Sequence, residues 1–337
     1  MTPMPDKTER EITEPVDLCL PDGTLNPAAV GWSRRPLHRA NLRGWGRNKR
    51  FEYWCITTPE LAVALNVSHS DYRVTLATFF LNRSTREGFS EAEIHWLPRG
   101  RVDVMPELSG SGKVVGRGDR MLIEMLPTST GTTLRAATAR LTVALDVIEP
   151  PGHESMGVVV PWDSKRFQYT RKDNCLPVRG RIVADRVEYL VDPATAYATL
   201  DHGRGRWPYS ILWNWAAGSG RSAGPATGLQ FGATWTDGTP STENALRIDG
   251  RVQKISQELE WTYDRTDWLR PWTIKGDRVD LVFTPIYDRQ SSFDRVVVLS
   301  REHQCFGSFN GHIIDESGRR FAVEQVFGWA EEVHRRW

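Results

Sequence analysis

Cysteine is scarce in this chain. Its 337 residues contain four, Cys19, Cys55, Cys175 and Cys305, and no two lie near each other. That spacing excludes a zinc ribbon or finger, and a disulfide framework is not the habit of so long a chain. The thiols are therefore read as reduced, in a cytoplasmic protein. Long apolar runs are also missing. Nothing reaches the roughly 18 consecutive apolar residues that a membrane-spanning helix needs. The opening MTPMPDKTEREITEP is charged and proline-bearing, without the apolar stretch of a secretory signal. No transmembrane segment is expected, while peripheral membrane contact stays open. An excess of one charge is absent too, since 43 Lys and Arg face 42 Asp and Glu, for a net charge of +1. No nucleic-acid partner is expected from that balance. Finally, there is no G-x-S-x-G, no H-E-x-x-H, no P-loop, and no G-x-G-x-x-G between a strand and a helix. The sequence calls for no metal and no cofactor.

Helical periodicity is equally scarce, and a period of two takes its place. The runs 51–57, 61–68, 72–81, 92–97, 120–126, 133–138 and 139–148 are rich in β-branched and aromatic residues. Turn signals at Thr58-Pro59, Pro98-Arg99-Gly100 and Thr130-Gly131 divide them into an antiparallel meander. The pattern returns at 228–238, 244–255, 258–264, 277–289, 304–315 and 319–326, with Asp249-Gly250 and Ser317-Gly318 as hairpin turns. The expected fold class is all-β: two antiparallel barrel or sandwich domains packed together, residues 1–195 and 196–337. Their join is expected within 193–205, where strand periodicity lapses. One short C-terminal helix is expected over 326–337, with Phe327, Ala330 and His334 on one side.

What is abundant is tryptophan, 14 residues in all. Trp buries a large area and keeps one N–H handle, which suits ligand cavities. Asp201 to Glu243 holds Trp207, Trp213, Trp215 and Trp235 beside the adjacent pair Asp201-His202 and a second acid, Asp237. An apolar wall raises a carboxylic acid's pKa and lowers a histidine's, so both could titrate near neutrality. Trp235 and Asp237 are two apart and would share a strand face if the strand persists that far. Glu243 could add another acid, although Asp237 before Gly238 also reads as an ordinary turn residue. The basic segment 34–50 could grip an anionic head group through Arg39 and Arg43, or pair with acids elsewhere in the chain. Segment 263–272 alternates acids, Arg and Trp, and reads as a fastened loop that could close a cavity. Gly-rich 218–224 reads as a flexible loop, a candidate lid.

The phrases at 14–54, WNWAAG (213–218), WTDGTPSTENAL (235–246), DRTDWLRPW (264–272) and FGWAEE (327–332) resemble a bacterial family known as a domain of unknown function. The likeness runs from about Glu14 to Trp337. More distantly, the chain resembles the lipocalin-like superfamily of carotenoid 1,2-hydratase, also called hydroxyneurosporene synthase, together with tocopherol cyclase and lipocalin-like pericyclases. That resemblance implies two β-barrel or sandwich domains with a ligand cavity, and protonation, cyclisation or hydration of large apolar molecules without metal or nucleotide. The hydratases carry His-x-Trp and Tyr-x-Asp motifs. Here His202 matches the first in its histidine alone, since position 204 is Arg. Trp235-Thr236-Asp237 matches the second with Trp in place of Tyr.

Two functions follow as expectations. One is a cofactor-independent acid/base enzyme, a hydratase or dehydratase, isomerase or cyclase, acting on an isoprenoid or lipid-like substrate. Asp237 would be the general acid, His202 its partner and Asp201 the group that fixes the His tautomer. Trp207, Trp213, Trp215 and Trp235 would line the cavity, the first three facing a developing carbocation, with Glu243, Arg39 and Arg43 also contacting substrate. The other is a non-catalytic carrier of the same apolar or amphipathic ligand.

Overall fold

The computed structural model describes residues 7, 9–97, 100–103, 105–221, 224–295 and 298–336. Among them the chain is built of strands, with one 3-10 turn at Pro27–Ala29. No helix among the described residues is long and apolar enough to cross a membrane. The chain divides into two units. The first is Glu11–Trp207, and the second is Pro208–Trp337 together with Met1–Arg10.

The first unit is built on one long antiparallel sheet, beside a short parallel pair of Val16–Asp17 with His38–Arg39. Its strands lie in the order Glu87–Trp96, Arg73–Asn82, Leu61–Ser70, Asn48–Thr57, Tyr197–Arg206, Phe167–Ala184, Leu141–Ile148, Gly131–Ala137, Leu122–Thr128 and Val114–Arg117. The alternation in the sequence supplies one apolar face per strand, and the sheet curls over that face. A Cβ added at Gly116, on the last strand of that order, would lie 2.3 Å from Leu76 and 3.3 Å from Val67, near the opposite end. Leu65, Val67, Leu76, Ile123, Leu134, Leu145 and Val178 fill the enclosed core.

The 18-residue strand Phe167–Ala184 organises this unit. Its register shifts between Asp173 and Leu176, where Cys175 takes a φ of 59°. The bulge bends the strand and splits its partners. The first half pairs with Tyr197–Arg206 and Met156–Pro161, the second with Leu141–Ile148 and Val187–Val191.

The second unit is a nine-stranded sheet in the order Arg251–Ile255, Asn244–Ile248, Ala226–Ala233, Ser210–Arg221, Arg320–Arg336, Val298–Ile314, Val279–Arg295, Trp272–Gly276 and Glu260–Thr262. Leu229, Phe231, Trp272, Phe283, Phe309 and Val326 lie in its core. The Asp249-Gly250 turn joins its two strands as expected, both residues having positive φ.

Three expectations differ from the structure. The C-terminal helix is absent, because 326–336 belongs to strand Arg320–Arg336. Trp329, Ala330, Glu331 and Val333 are all buried there, so both faces are covered and the alternation that marks a half-exposed strand is lost. Most of the expected join at 193–205 is strand Tyr197–Arg206 within the first unit's sheet. Beyond Ala198 and Leu200 its buried face carries His202 and Arg204, which hid the period. Gly218–Arg221, read as loop, is the end of strand Ser210–Arg221, while 222–223 lie outside the described residues. A Cβ on Gly218 would press to 3.2 Å from Phe309 and Val326, so glycine serves close packing there rather than flexibility.

Candidate functional site

Strands Asn48–Thr57, Tyr197–Arg206 and Phe167–Ala184 lie side by side, and their register fixes which side chains share a face. Glu52 stands opposite His202, and His202 opposite Arg171. Tyr169 stands opposite Arg204, two residues along. One face of three strands thus carries Glu52, His202, Arg204, Tyr169, Arg171 and Asp173. Two residues further along the same strands, Trp54 and Leu200 belong to the apolar core.

His202 is fully buried, and its Nδ1 lies 2.7 Å from Glu52 Oε2. An ionised carboxylate only accepts, so Nδ1 carries the proton and Nε2 keeps its lone pair. Burial, reinforced by Arg204, pulls the His202 pKa down to about 4, with Glu52 acting against that fall. Burial works against the Glu52 carboxylate as well. The hydrogen bond from His202 and the charges of Arg204 and Arg171 more than offset it, and Glu52 stays below its ordinary value. At neutral pH the pair is therefore a neutral imidazole held by an ionised carboxylate.

Several buried polar atoms here have no hydrogen-bond partner among the described residues: His202 Nε2, Tyr169 Oη, Arg204 Nε and His38 Nδ1. Leaving such a group unpaired costs about 1–3 kcal/mol, so four together make this cluster a candidate place for a ligand or an ordered water. They are close neighbours. Tyr169 meets the His202 ring edge-on at 6.0 Å between centroids and stacks on His38 at 4.7 Å. Burial pushes the Tyr169 hydroxyl up to about 12, so it remains a donor. Burial also holds His38 neutral, with its pKa lowered to about 4. Gly157 faces this hydroxyl, and a Cβ there would come within 3.4 Å of Oη. Beyond lies a paired cluster in which Arg171 Nη2 meets Asp173 Oδ2 at 2.7 Å and His153 Nε2 meets Asp173 Oδ1 at 3.2 Å.

The residues proposed from sequence divide between the units. His202, Asp201, Trp207, Arg39 and Arg43 lie in the first, and Trp213, Trp215, Trp235, Asp237 and Glu243 in the second. Asp201 does not orient His202. Neighbours on a strand point to opposite faces, and Asp201 instead accepts from Thr170 Oγ1 at 2.9 Å and pairs with Lys172 at 2.8 Å. Glu52 takes the orienting place. The Lys49 ammonium sits 3.5 Å over the Trp207 ring, so that face already holds a cation. The four indoles act as donors: Trp207 to Gln168, Trp213 to Glu331 at 2.9 Å, Trp215 to Gln230 at 3.0 Å and Trp235 to Glu243. Glu243 is buried and also accepts from Gln230, which makes it a structural anchor. Arg39 is exposed and engaged by Asp17 at 2.6 and 2.7 Å, and Arg43 is exposed. Other arginines of the basic segment also pair with acids of their own unit, Arg34 with Glu11 and Glu154, Arg50 with Asp71.

Asp237 follows strand Ala226–Ala233 in a turn and lines a cleft of about 560 Å³ in the second unit. The segment 263–272 is the fastened loop expected from its composition. Tyr263 stacks on Trp272 at 4.2 Å, Trp268 stacks on His303 at 4.0 Å, and Arg270 pairs with Asp264 at 2.8 Å. Among the described residues, Glu93, His95 and Asp119 bring metal-ligand atoms together. Their donors are engaged within the protein, however. Glu93 is bonded to His95 at 3.0 Å and to the backbone N–H of Asp119 and Arg120, and Asp119 pairs with Arg101 at 2.7 Å.

Sequence reasoning missed Glu52, Tyr169, Arg171 and Arg204. For the first three the signal was the unbroken polar run QYTRKDN (168–174) inside a β pattern and a lone acid within the aromatic run FEYW (51–54).

The chain belongs to the family described as Domain of unknown function (DUF2804), which matches residues 9–337. No curated protein sequence matches it. Solved structures share its fold at low identity. An AttH-type protein from Nitrosomonas europaea is 13% identical, with 86% of this chain and 92% of that one covered and a TM-score of 0.51. Kievitone hydratase from Nectria haematococca is 11% identical over 87% and 89%, with a TM-score of 0.50. CghA is 11% identical over 86% and 88%, with a TM-score of 0.54, and has also been solved with Sch210972. The two curled antiparallel sheets are thus the lipocalin-like arrangement that the sequence resemblance implied.

Proposed function

We propose that the first unit is an acid/base enzyme of the hydratase or dehydratase, isomerase or cyclase kind, acting on an apolar, isoprenoid- or lipid-like substrate. The observation that carries this reading is His202, which is buried and neutral, held at Nδ1 by Glu52 2.7 Å away, with Nε2 lacking a partner among the described residues, as does the hydroxyl of Tyr169, whose ring centroid lies 6.0 Å from that of the imidazole. An imidazole oriented by a carboxylate, with its lone pair left free, is a base awaiting a proton.

In a dehydration, Nε2 takes the proton from the carbon next to the C–OH, and the electron pair forms the C=C bond. The C–O bond breaks, the Tyr169 O–H gives its proton to the departing oxygen, which leaves as water, and the imidazolium proton then returns to the tyrosinate. Hydration is the reverse. In an isomerisation, His202 returns the same proton to a different carbon. Glu52 is the counter-ion to the imidazolium formed in each case. A shared fold with kievitone hydratase fits this chemistry without specifying a substrate.

The test is a panel of hydroxylated and polyunsaturated terpenoid and fatty compounds, incubated with the protein and followed by mass spectrometry for gain or loss of water and by chromatography for isomers. Asn at position 202 keeps an N–H for Glu52 but has no base at the Nε2 position. His202→Asn should lower turnover by about 10²–10⁴-fold while ligand affinity changes little. A carrier would bind compounds and convert none, and turnover unchanged in both His202→Asn and Tyr169→Phe would refute the assignment.

A further inference from the structure

One rim of the first unit gathers exposed aromatic and cationic side chains that the proposed chemistry does not use. Trp45 and Trp96 are the two exposed tryptophans among the described residues, at 72% and 62%, and Leu97 is 72% exposed. Ile94, two residues before Trp96, shares its strand face and is exposed as well. Single exposed apolar residues are ordinary, but the ladder brings these together. Strand Asn48–Thr57 starts, Leu61–Ser70 ends, Arg73–Asn82 starts and Glu87–Trp96 ends at this one end of the sheet, with Lys49 opposite Ser70 and Arg73 opposite Trp96. Three strand spacings of about 4.8 Å separate the first from the last, so the loops carrying Trp45 and Leu97 emerge within roughly 15 Å of each other.

Backbone bonds fasten the rim. Asp71 Oδ2 accepts from the N–H of Gly46 at 2.6 Å, and the carbonyl oxygen of Tyr72 accepts from the N–H of Leu97 at 2.8 Å. Tyr72 stacks on Trp96 at 6.1 Å between centroids, and the Arg73 guanidinium lies 5.9 Å over the same indole. Trp45 stands between Gly44 and Gly46, whose φ values of 73° and 95° make the reversal that leaves its indole outside.

The rim is also cationic. Arg43 and Arg47 flank Trp45, both are exposed, and neither guanidinium has an ion pair or hydrogen bond among the described residues. The acids nearby are engaged. Asp71 holds Arg50 and the N–H groups of Gly46 and Asn48. Asp17, whose carboxyl feels Arg43, is held by Arg39 at 2.6 Å. Asp22 accepts from Thr24 and adjoins Arg206, which is bonded to the carbonyl oxygen of Gly23. The charges of Arg43 and Arg47 are left over, one on each side of an exposed indole.

We propose that this rim docks the chain onto an anionic bilayer surface, with the indoles of Trp45 and Trp96 and the side chain of Leu97 at the headgroup boundary and Arg43 and Arg47 on lipid phosphates. Indole is favoured at that depth because its ring is apolar while its N–H keeps a wet partner. Guanidinium grips phosphate in bidentate fashion, and each arginine near an anionic surface strengthens binding about fivefold. Arginine and tryptophan also suit single-stranded nucleic acid, but Ile94 and Leu97 add aliphatic surface that stacks no base. Two cations and a few apolar anchors give reversible contact rather than insertion.

The test is sedimentation of the full chain with vesicles of phosphatidylcholine, alone or with one lipid in three replaced by phosphatidylglycerol, at low and high salt. Binding to the anionic vesicles is expected, weakened by salt and about tenfold or more poorer on phosphatidylcholine alone. Trp45→Ser should weaken it about tenfold. Arg43→Gln combined with Arg47→Gln should weaken it about thirtyfold, the product of two fivefold losses. These side chains are exposed, so the Tm should not move. Leu190→Ser, at an 82% exposed position beside the far half of strand Phe167–Ala184, should bind as wild type does. Absence of binding to anionic vesicles, an equal loss from Leu190→Ser, or unchanged binding in both the Trp45 and the double-arginine variants would overturn the proposal. So would a single-stranded oligonucleotide that displaces the vesicles, or a dimer in solution that Trp45→Ser dissolves, because the occupant would then be a nucleic acid or a second copy. Vesicle binding requires no turnover, so its failure and a failure of the chemistry at His202 are read separately.

Discussion

Lowering the pH from 7.5 to 4.5 should destabilise the first unit strongly, and the size of the loss follows from two buried imidazoles. His202 and His38 fall from an ordinary value of 6.5 to about 4 on folding, both mainly through burial. Their folded forms are neutral, so between those two pH values the unfolded chain binds the additional protons. Each group's contribution is complete above about pH 6.5 and is lost as the pH falls towards 4. A shift of that size corresponds to roughly 3 kcal/mol per imidazole. Two such groups approach the entire stability of many domains, about 5–15 kcal/mol. The depressed Glu52 acts in the same direction, but its contribution is lost at lower pH, below the ordinary carboxylate value. Urea unfolding followed by circular dichroism at half-unit pH steps measures this directly. His202→Asn removes one titrating group, so between pH 6 and 5 its stability should fall less steeply than wild type, by up to about 1.4 kcal/mol per pH unit. Identical slopes for the two proteins would refute the claim that His202 is buried and neutral.

Three further outcomes follow. Glu52→Gln leaves the Arg204 charge buried, where Glu52 Oε2 now lies 3.7 Å from Nη2. It should cost about 3–5 kcal/mol and lower the Tm in calorimetry, and an unchanged Tm would count against the network. Gly232→Ala places a Cβ 2.0 Å from Glu243 Oε1, a carboxylate tied to Trp235 and Gln230 that cannot swing away. About 1–3 kcal/mol of destabilisation is expected in urea, with the loss confined to transitions that report on the second unit. In the same unit, Glu9→Ala removes the carboxylate 2.6 Å from Lys254 Nζ, a pair with side chains 1% and 4% exposed. A cost of about 3–5 kcal/mol is expected, and full stability would mean that Lys254 finds its compensation elsewhere.

The strands with one apolar face, such as Leu141–Ile148, were legible because the period of two is a direct record of burial. Phe167–Ala184 was not, since Tyr169, Lys172, Asp173 and Asn174 are polar residues buried within it, and Lys172 and Asp173 are paired by Asp201 and His153 from other parts of the chain. His202 was legible as a candidate, but its partner was not. Asp201 stands next to it in sequence and on the other face of the strand, whereas Glu52 lies 150 residues away and directly across the ladder. The tryptophan-rich stretch suggested ligand lining. What composition could not reveal is that each of its four indole N–H groups is taken by a glutamine or glutamate of the protein itself.

The central claim is the state of one ring: His202 neutral, protonated at Nδ1, with Nε2 bare. Nitrogen-15 NMR of histidine-labelled protein, with His202 assigned through His202→Asn, reads both ring nitrogens at once across pH 5 to 8. A pyridine-type Nε2 and a pyrrole-type Nδ1 are expected over that range. An imidazolium at pH 6, or a proton on Nε2, would contradict it.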